Sequence, residues 1–191
     1  MLNIVLFGPP GAGKGTQADK LLEKYGILHI STGEVIRNEI KKGTELGLQA
    51  QKEMEGGKLA SDQIVISIIC DYVKSNKDAK GAIYDGFPRT TLQAEAFDKL
   101  LEKNDEKVTL MLSLEVADEE LISRLLNRGL TSGRADDQNR EVIENRIKVY
   151  KAQTEVVKDY YNKQGKLVEI DGLGTIDEIF ERLSVAIDEY I

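Results

Sequence analysis

The chain has one cysteine, Cys70, and one histidine, His29, among 191 residues. A disulfide within the chain is excluded, and so is a metal site built from cysteine and histidine. No apolar run approaches the length of a membrane span, so no membrane partner is expected. No basic segment precedes the strand-like Leu2-Asn3-Ile4-Val5-Leu6-Phe7, so no secretory leader is expected and the expected address is the cytoplasm. Excess positive charge is also missing: 26 Lys and Arg face 33 Asp and Glu, a formal net charge of −7. A duplex nucleic-acid binder needs a basic surface to neutralise phosphates, so no nucleic-acid partner is expected. Nothing in the composition asks for more than a monomer.

What remains is an ordinary globular composition, 41% apolar, at a length that suits one domain. Short apolar runs at residues 2–7, 27–30, 82–84, 108–114 and 167–170 read as strands buried on both faces. Helical patterns fall at 16–25, 32–42, 62–75, 92–103, 119–127, 140–164 and 176–190. The alternation predicts an α/β fold with a central parallel five-stranded sheet. Residues 31–60 carry helical pattern without a strand, and residues 129–139 read as an exposed polar loop. Both look like insertions over the end of the sheet where such folds bind ligands.

Gly8-Pro9-Pro10-Gly11-Ala12-Gly13-Lys14-Gly15-Thr16 follows the first strand and opens a helix. That setting is the one a phosphate-binding loop requires, so the chain is read as handling a nucleotide. Glycines let successive N–H groups turn toward an anion, the helix N-terminus adds its dipole, and Lys14 adds a mobile charge. A plain Gly/Pro turn would explain the glycines but not the lysine. The general pattern has Ser or Thr directly after the lysine; here Gly15 intervenes before Thr16.

Of eight arginines, five fall between 124 and 146: Arg124, Arg128, Arg134, Arg140 and Arg146. Arg124 and Arg128 share a helix face, and Arg134 lies in the polar loop where it can move. Arginine suits bidentate phosphate contacts, and a cluster beside a phosphate loop suits phosphoryl transfer. The competing reading is surface pairing with Asp136, Asp137, Glu141 and Glu144, which is favoured for Arg140 beside Glu141. Tyr84-Asp85-Gly86-Phe87-Pro88-Arg89 ends the third strand. Asp85 stands where a carboxylate organises a magnesium ion through its waters, with no direct metal ligand assigned. Thr90 with Gln93 and Ser31 with Glu34 have capping-box spacing, a structural explanation for Gln93, Glu34 and the neighbouring Thr32.

Together these elements resemble adenylate kinase. The resemblance rests on Gly8 through Gln17, Ser31-Thr32-Gly33-Glu34 with Arg37, Asp85 through Arg89 with Gln93, and Arg128 through Ser132-Gly133-Arg134-Ala135-Asp136-Asp137 to Arg146. It implies a P-loop three-layer fold that converts ATP and AMP to two ADP with Mg2+. It implies a core of residues 1–30, 61–127 and 139–191, an AMP-binding insertion at 31–60 and a lid at 128–138. By motif position, Gly11, Ala12, Gly13, Lys14, Gly15, Thr16, Arg128 and Gly174 would bind ATP. Thr32, Arg37, Lys58, Leu59, Ala60, Gly86, Phe87, Pro88, Arg89, Gln93, Arg134 and Arg146 would bind AMP, with Gln93 at the adenine edge. Lys14, Arg89, Arg128, Arg134 and Arg146 would be catalytic, and Asp136 and Asp137 would help hold the closed lid.

Three features depart from the common pattern. Ala60-Ser61 stand where Val-Pro is usual in the loop from Gly57, the stretch from Arg134 to Arg146 is one residue longer, and the lid is of the short kind, without zinc. A kinase for UMP or CMP is the nearest rival. A GTPase-type switch would need Asn-Lys-x-Asp, a spacing that Asn76-Lys77-Asp78 lacks, and an RNA-linked accessory role fits the acidic charge badly. His29 reads as a core or strand-end histidine and Cys70 as a small buried helical residue.

Overall fold

Six consecutive uncharged residues form the middle strand of the sheet, and their pleat sets the architecture. The computed structural model describes residues 1–55, 58–75 and 79–191, apart from the side chains of residues 72, 74 and 75. Gly57 and the Asn76-Lys77-Asp78 tripeptide lie outside the described residues. Strand β1 (Leu2–Phe7) lies between β3 (Gly81–Asp85) and β4 (Leu110–Glu115), with β2 (Leu28–Ser31) and β5 (Leu167–Asp171) at the edges. Every pairing is parallel. Parallel neighbours require crossovers, so both faces of the sheet carry helices.

Alternate residues of β1 feed the two faces. Ile4 and Leu6 pack with Ala18 and Leu21 of α1 (Lys14–Tyr25), Leu121 and Leu125 of α6 (Asp118–Ser132), Ile143 of α7 (Arg140–Val149) and Leu183 of α9 (Ile176–Asp188). Val5 and Phe7 belong to the opposite layer. It contains Ile36 of α2 (Thr32–Lys42), Ala50 of α3 (Glu45–Glu53), Ile69 of α4 (Asp62–Ser75), Phe97 of α5 (Thr91–Glu102) and Tyr161 of α8 (Val156–Asn162). Burying each large aliphatic side chain contributes about 1.5–3 kcal/mol, so the central strand is the most costly place to disturb. All strands end at the same edge of the sheet. The chain leaves β1 toward β2, returns at β3 and crosses to β4, so the edge beside β1 and β3 is the switch point where ligands bind in such sheets.

The three-layer parallel reading holds, and several details differ. The outer strands β2 and β5 are only partly buried, because each has a neighbour on one side alone. Helix α1 begins at Lys14, so Lys14 and Gly15 belong to its first turn. The polar stretch at 129–139 is not a simple exposed loop. Helix α6 continues to Ser132, Gly133 closes it with φ 65°, and Ala135–Asp137 form a 3-10 turn in which Asp137 is fully buried. The long helix expected over 140–164 is divided: α7 ends at Val149, a π-helical turn spans Tyr150–Thr154, and α8 ends at Asn162. Cys70 is half-buried rather than buried.

Candidate active site

The loop after β1 runs through Gly8, Gly11 and Gly13, all with positive φ. Gly13 caps α1 at φ 95°, where other residues are strained, and a Cβ there would meet nothing within 4 Å. The first turn of α1 contains no acidic residue, and its cap makes no side-chain hydrogen bond. Its leading N–H groups therefore lack the internal anion that most helices supply, and they suit an external one. Lys14 curls back over the loop, its Nζ donating to the carbonyls of Gly8 at 2.8 Å and Pro9 at 3.0 Å. Burial, opposed by Asp85 and reinforced by Arg89, Arg146 and Arg128, pushes the Lys14 pKa down to about 8. Ala12 is buried and offers backbone only, whereas Thr16 is exposed in the first turn of α1. Gly15 faces Asp85; a Cβ there would lie 3.9 Å from Asp85 Oδ2.

A second anion-seeking element ends β3. Gly86 has φ 77°, and a Cβ on it would stand 2.8 Å from an Arg89 guanidinium nitrogen and 3.2 Å from Thr32 Oγ1. Glycine is needed there for the turn and for the close approach of Arg89. Arg89 Nε donates to the Gly86 carbonyl at 2.7 Å. Thr32, the first residue of α2, donates from Oγ1 to the carbonyls of Gly86 at 3.0 Å and Asp85 at 3.2 Å, tying the start of the insertion to this turn. The Phe87–Pro88 bond is cis, and the Phe87 ring packs in the core against Phe97, so Phe87 presents backbone to the site. Burial lowers the Arg89 pKa, with Arg146 and Arg37 acting in the same sense and Asp85 against them. Burial raises the pKa of Asp85, but His29, Lys14 and Arg89 outweigh it and hold the carboxylate below its ordinary range.

The capping reading of Thr90 is correct: its Oγ1 accepts from Gln93 N at 3.2 Å. The return bond closes one residue earlier than in a capping box, with Gln93 Oε1 accepting from Arg89 N at 2.7 Å. Ser31 likewise caps α2 by accepting from Glu34 N.

Arg128 and Arg146 meet on one buried carboxylate. Asp137, at 0% exposure, accepts from Arg128 Nε at 2.6 Å and NH2 at 3.0 Å, and from Arg146 NH1 at 2.7 Å. Arg146 also pairs with Asp136 at 2.9 Å. Burial pushes the Asp137 pKa up, but its bonds from Arg128 and Arg146 more than offset that and leave it lowered. Arg134 begins the 3-10 turn, and its charge reaches Arg37, whose pKa is lowered first by burial and then by Arg134. Arg140 pairs with Glu144, not Glu141, since only Glu144 lies one helical turn away on the same face. Asp137→Ala is expected to lower the unfolding free energy by about 2 kcal/mol in a urea titration, because two arginines lose a charged acceptor. A loss under about 0.5 kcal/mol would mean that solvent replaces the carboxylate fully.

Among the remaining sequence candidates, Lys58, Leu59 and Ala60 form the irregular stretch before α4, with Ala60 buried. Gly174, at φ 122°, lies in the turn between β5 and α9 on the same edge of the sheet, where a Cβ would stand 3.5 Å from an Arg182 guanidinium nitrogen. Two participants escape a reading of the sequence. His29 Nε2 stands 3.6 Å from Asp85 Oδ2, and the His29 pKa is raised, chiefly by Asp85. Asp62, in the first turn of α4, accepts from Gln93 and Thr90. His29 had a usable signal, since a strand-end histidine two residues before Ser31-Thr32 points to the same sheet edge. Asp62 had none, because its partners are about 30 residues away.

Lys14, Arg89, Arg128 and Arg146 thus lie within electrostatic reach of one another, and Arg37 and Arg134 extend the group. Such a collection of cations is complementary to several phosphate groups held together. Among the described residues no His, Cys, Asp or Glu cluster could hold a metal by itself, and no helix is long and apolar enough to cross a membrane.

The chain is similar to known proteins over nearly its whole length. The sequence model of a family described as Adenylate kinase matches residues 6–166. The chain is 51% identical over 188 residues to an adenylate kinase of Bacteroides fragilis, covering 98% of this chain and 99% of that one. It is 51% identical to one from Phocaeicola vulgatus, covering 99% of this chain and 100% of that one. An adenylate kinase of Flavobacterium johnsoniae is 49% identical, covering 98% and 99%.

Proposed function

The chain belongs to the adenylate kinase family and catalyses reversible transfer of the γ-phosphoryl group of ATP to AMP, giving two ADP; from that premise we propose which of its residues carry the reaction. The observation behind the assignment is that two anion-seeking elements hang from neighbouring strands. The loop that begins at Gly8 follows β1, the Arg89 turn follows β3, and Leu6 pairs in register with Asp85. Adjacent strands run about 4.8 Å apart, so the two phosphate sites are held side by side by the sheet itself.

Gly11 through Thr16 cradle the ATP phosphates, Arg128 lies against ATP, and Gly174 meets its adenine through backbone. Thr32, Arg37, Lys58, Leu59, Ala60, Gly86, Phe87, Pro88, Arg89 and Gln93 form the AMP site, with Arg134 and Arg146 closing on the phosphates. The core comprises residues 1–30, 61–127 and 139–191, and residues 31–60 form the insertion. The lid is residues 128–138, beginning within the last turn of α6 and hinged at the Gly133 and Asn139 caps.

An AMP phosphate oxygen forms a bond to the γ-phosphorus while the bond from that phosphorus to the β–γ bridging oxygen breaks, and ADP leaves. The nucleophile is already anionic, so no general base is needed. Lys14, Arg89, Arg128, Arg134 and Arg146 stabilise the charge on the transferring oxygens. Closure of the lid, held by Asp137 between Arg128 and Arg146, excludes water that would hydrolyse ATP. The donor set fits magnesium carried by nucleotide phosphates rather than by a protein cage: one partly buried carboxylate, Asp85, faces Gly15 in the first turn of α1, and the exposed Thr16 follows in that turn. Asp85 would hold the ion through water, and the ion would supply charge neutralisation to the phosphates. We read the chain as a cytoplasmic monomer; its acidic net charge speaks against a duplex nucleic-acid partner.

With Mg-ATP and each of AMP, CMP, UMP and GMP in turn, nucleoside diphosphate is expected to accumulate fastest with AMP. Faster turnover of UMP or CMP would transfer the acceptor assignment to a pyrimidine nucleotide.

A further inference from the structure

We infer that Asp62 determines which bases the acceptor site reads, by locking the side-chain amide of Gln93 in one orientation; this rests on Gln93 as the residue that meets the base. An amide edge offers one donor and one acceptor, and turning it over exchanges them. Gln93 is held from both ends. Its Nε2 donates to Asp62 Oδ1 at 2.7 Å, and its Oε1 accepts from the Arg89 backbone N–H at 2.7 Å. A carboxylate only accepts and a backbone N–H only donates, so the turned amide would set oxygen against oxygen and N–H against N–H. Thr90 Oγ1 donates to the same Asp62 oxygen at 2.9 Å and fixes the carboxylate in turn. Gln93 is 1% exposed, so the base reaches it as the surrounding chain opens, and the lock decides what the amide presents at that moment.

Each end of the locked amide keeps one free valence, a second N–H and a second carbonyl lone pair. Adenine offers an acceptor and an amino donor side by side, and cytosine has the same order. Guanine and uracil offer N–H beside carbonyl, the order that the turned amide would fit. The lock therefore selects the adenine and cytosine pattern against the guanine and uracil pattern. Asp62 is a positioning residue, acting through Gln93 rather than on the substrate.

The test is Asp62→Ser, which keeps a polar oxygen at the start of α4 but is too short to reach Gln93. Steady-state rates are measured with AMP and GMP at saturating Mg-ATP, and the melting temperature is recorded alongside. The ratio of kcat/KM for AMP over GMP is expected to fall about tenfold or more, through KM for AMP, with KM for ATP unmoved. Asp62→Asn, whose carbonyl can still accept from Gln93, is expected to recover most of the ratio. In a Gln93→Leu background the further change Asp62→Ser is expected to leave the ratio alone. An unchanged ratio in Asp62→Ser, or an equal fall with and without Gln93, would overturn the lock. If Gln93→Leu alone leaves KM for AMP unchanged, the reading of Gln93 fails, whatever Asp62 does. If Asp62→Ser does not fold, Thr90→Val carries the test: it removes the hydroxyl that steadies the Asp62 carboxylate and is expected to lower the ratio, and an unchanged ratio overturns the lock.

Discussion

Arg89→Ala is expected to cut kcat about a thousandfold while leaving ATP affinity within about threefold. Arg89 hangs from the turn after β3, with Nε donating to the Gly86 carbonyl, whereas the loop assigned to ATP follows β1. Burial and the neighbouring charges of Arg146 and Arg37 strip its guanidinium of solvent stabilisation, so it seeks an anion. Its interaction with the transferring group strengthens as charge spreads over the equatorial oxygens, which places the loss in turnover rather than in donor binding. Arg89→Lys is expected to rescue little, since a lysine cannot present the two-pronged guanidinium edge beside Gly86. Stopped assays for ADP together with calorimetric titration of ATP separate the outcomes. An equal loss of ATP affinity would move Arg89 out of the acceptor site.

Lys14→Met is expected to lower kcat/KM for ATP by about a thousandfold and also to abolish a pH dependence. In the free protein the Lys14 pKa is down to about 8. Phosphates arriving over the loop favour the charged amine and raise it again. Above about pH 8, ATP binding then takes up a proton, and affinity falls by up to tenfold per pH unit until the pKa of the bound state is reached. The stability effect has the opposite sign. A lysine whose folded pKa lies below its unfolded value binds fewer protons when folded, so between about pH 8 and 10.5 this group makes the free protein more stable as pH rises. Titration of ATP in buffers of different ionisation enthalpy detects the proton. A Met variant that retains the same proton uptake would assign it to another group.

The elements most legible in the sequence were those whose signal is local. The apolar runs of β1, β3 and β4, the Gly-rich turn into α1 and the Thr90 cap each follow from a few adjacent residues. Residues 129–139 differ from the polar loop expected of them because tertiary contacts decide that stretch. Gly129 lets the backbone of Asp137 press against α6, where a Cβ would come within 2.4 Å of the Asp137 carbonyl oxygen. That approach buries a carboxylate which an inspection of Ala-Asp-Asp alone places in solvent. The π-helical turn at Tyr150–Thr154 has no local signature either; Tyr150 packs on Phe7 at a ring separation of 5.6 Å, so its register answers to the central strand. At the site, the motif residues were identifiable one by one. Their supports, His29 beneath Asp85 and Asp62 behind Gln93, emerge only when β2, β3, α4 and α5 are brought together.

The gathering of Lys14, Arg37, Arg89, Arg128, Arg134 and Arg146 at one edge of an acidic protein also bears on how ligands arrive. With these cations drawn into the cleft, the rest of the surface is more negative than the net charge of −7 suggests. An approaching anion feels both the repulsion of the outer surface and the attraction of the cleft within about a Debye length, about 8 Å at physiological ionic strength. Free ATP carries about twice the negative charge of its magnesium complex and is slowed more. The acidic surface around the cleft thus disfavours bare nucleotide relative to its magnesium complex.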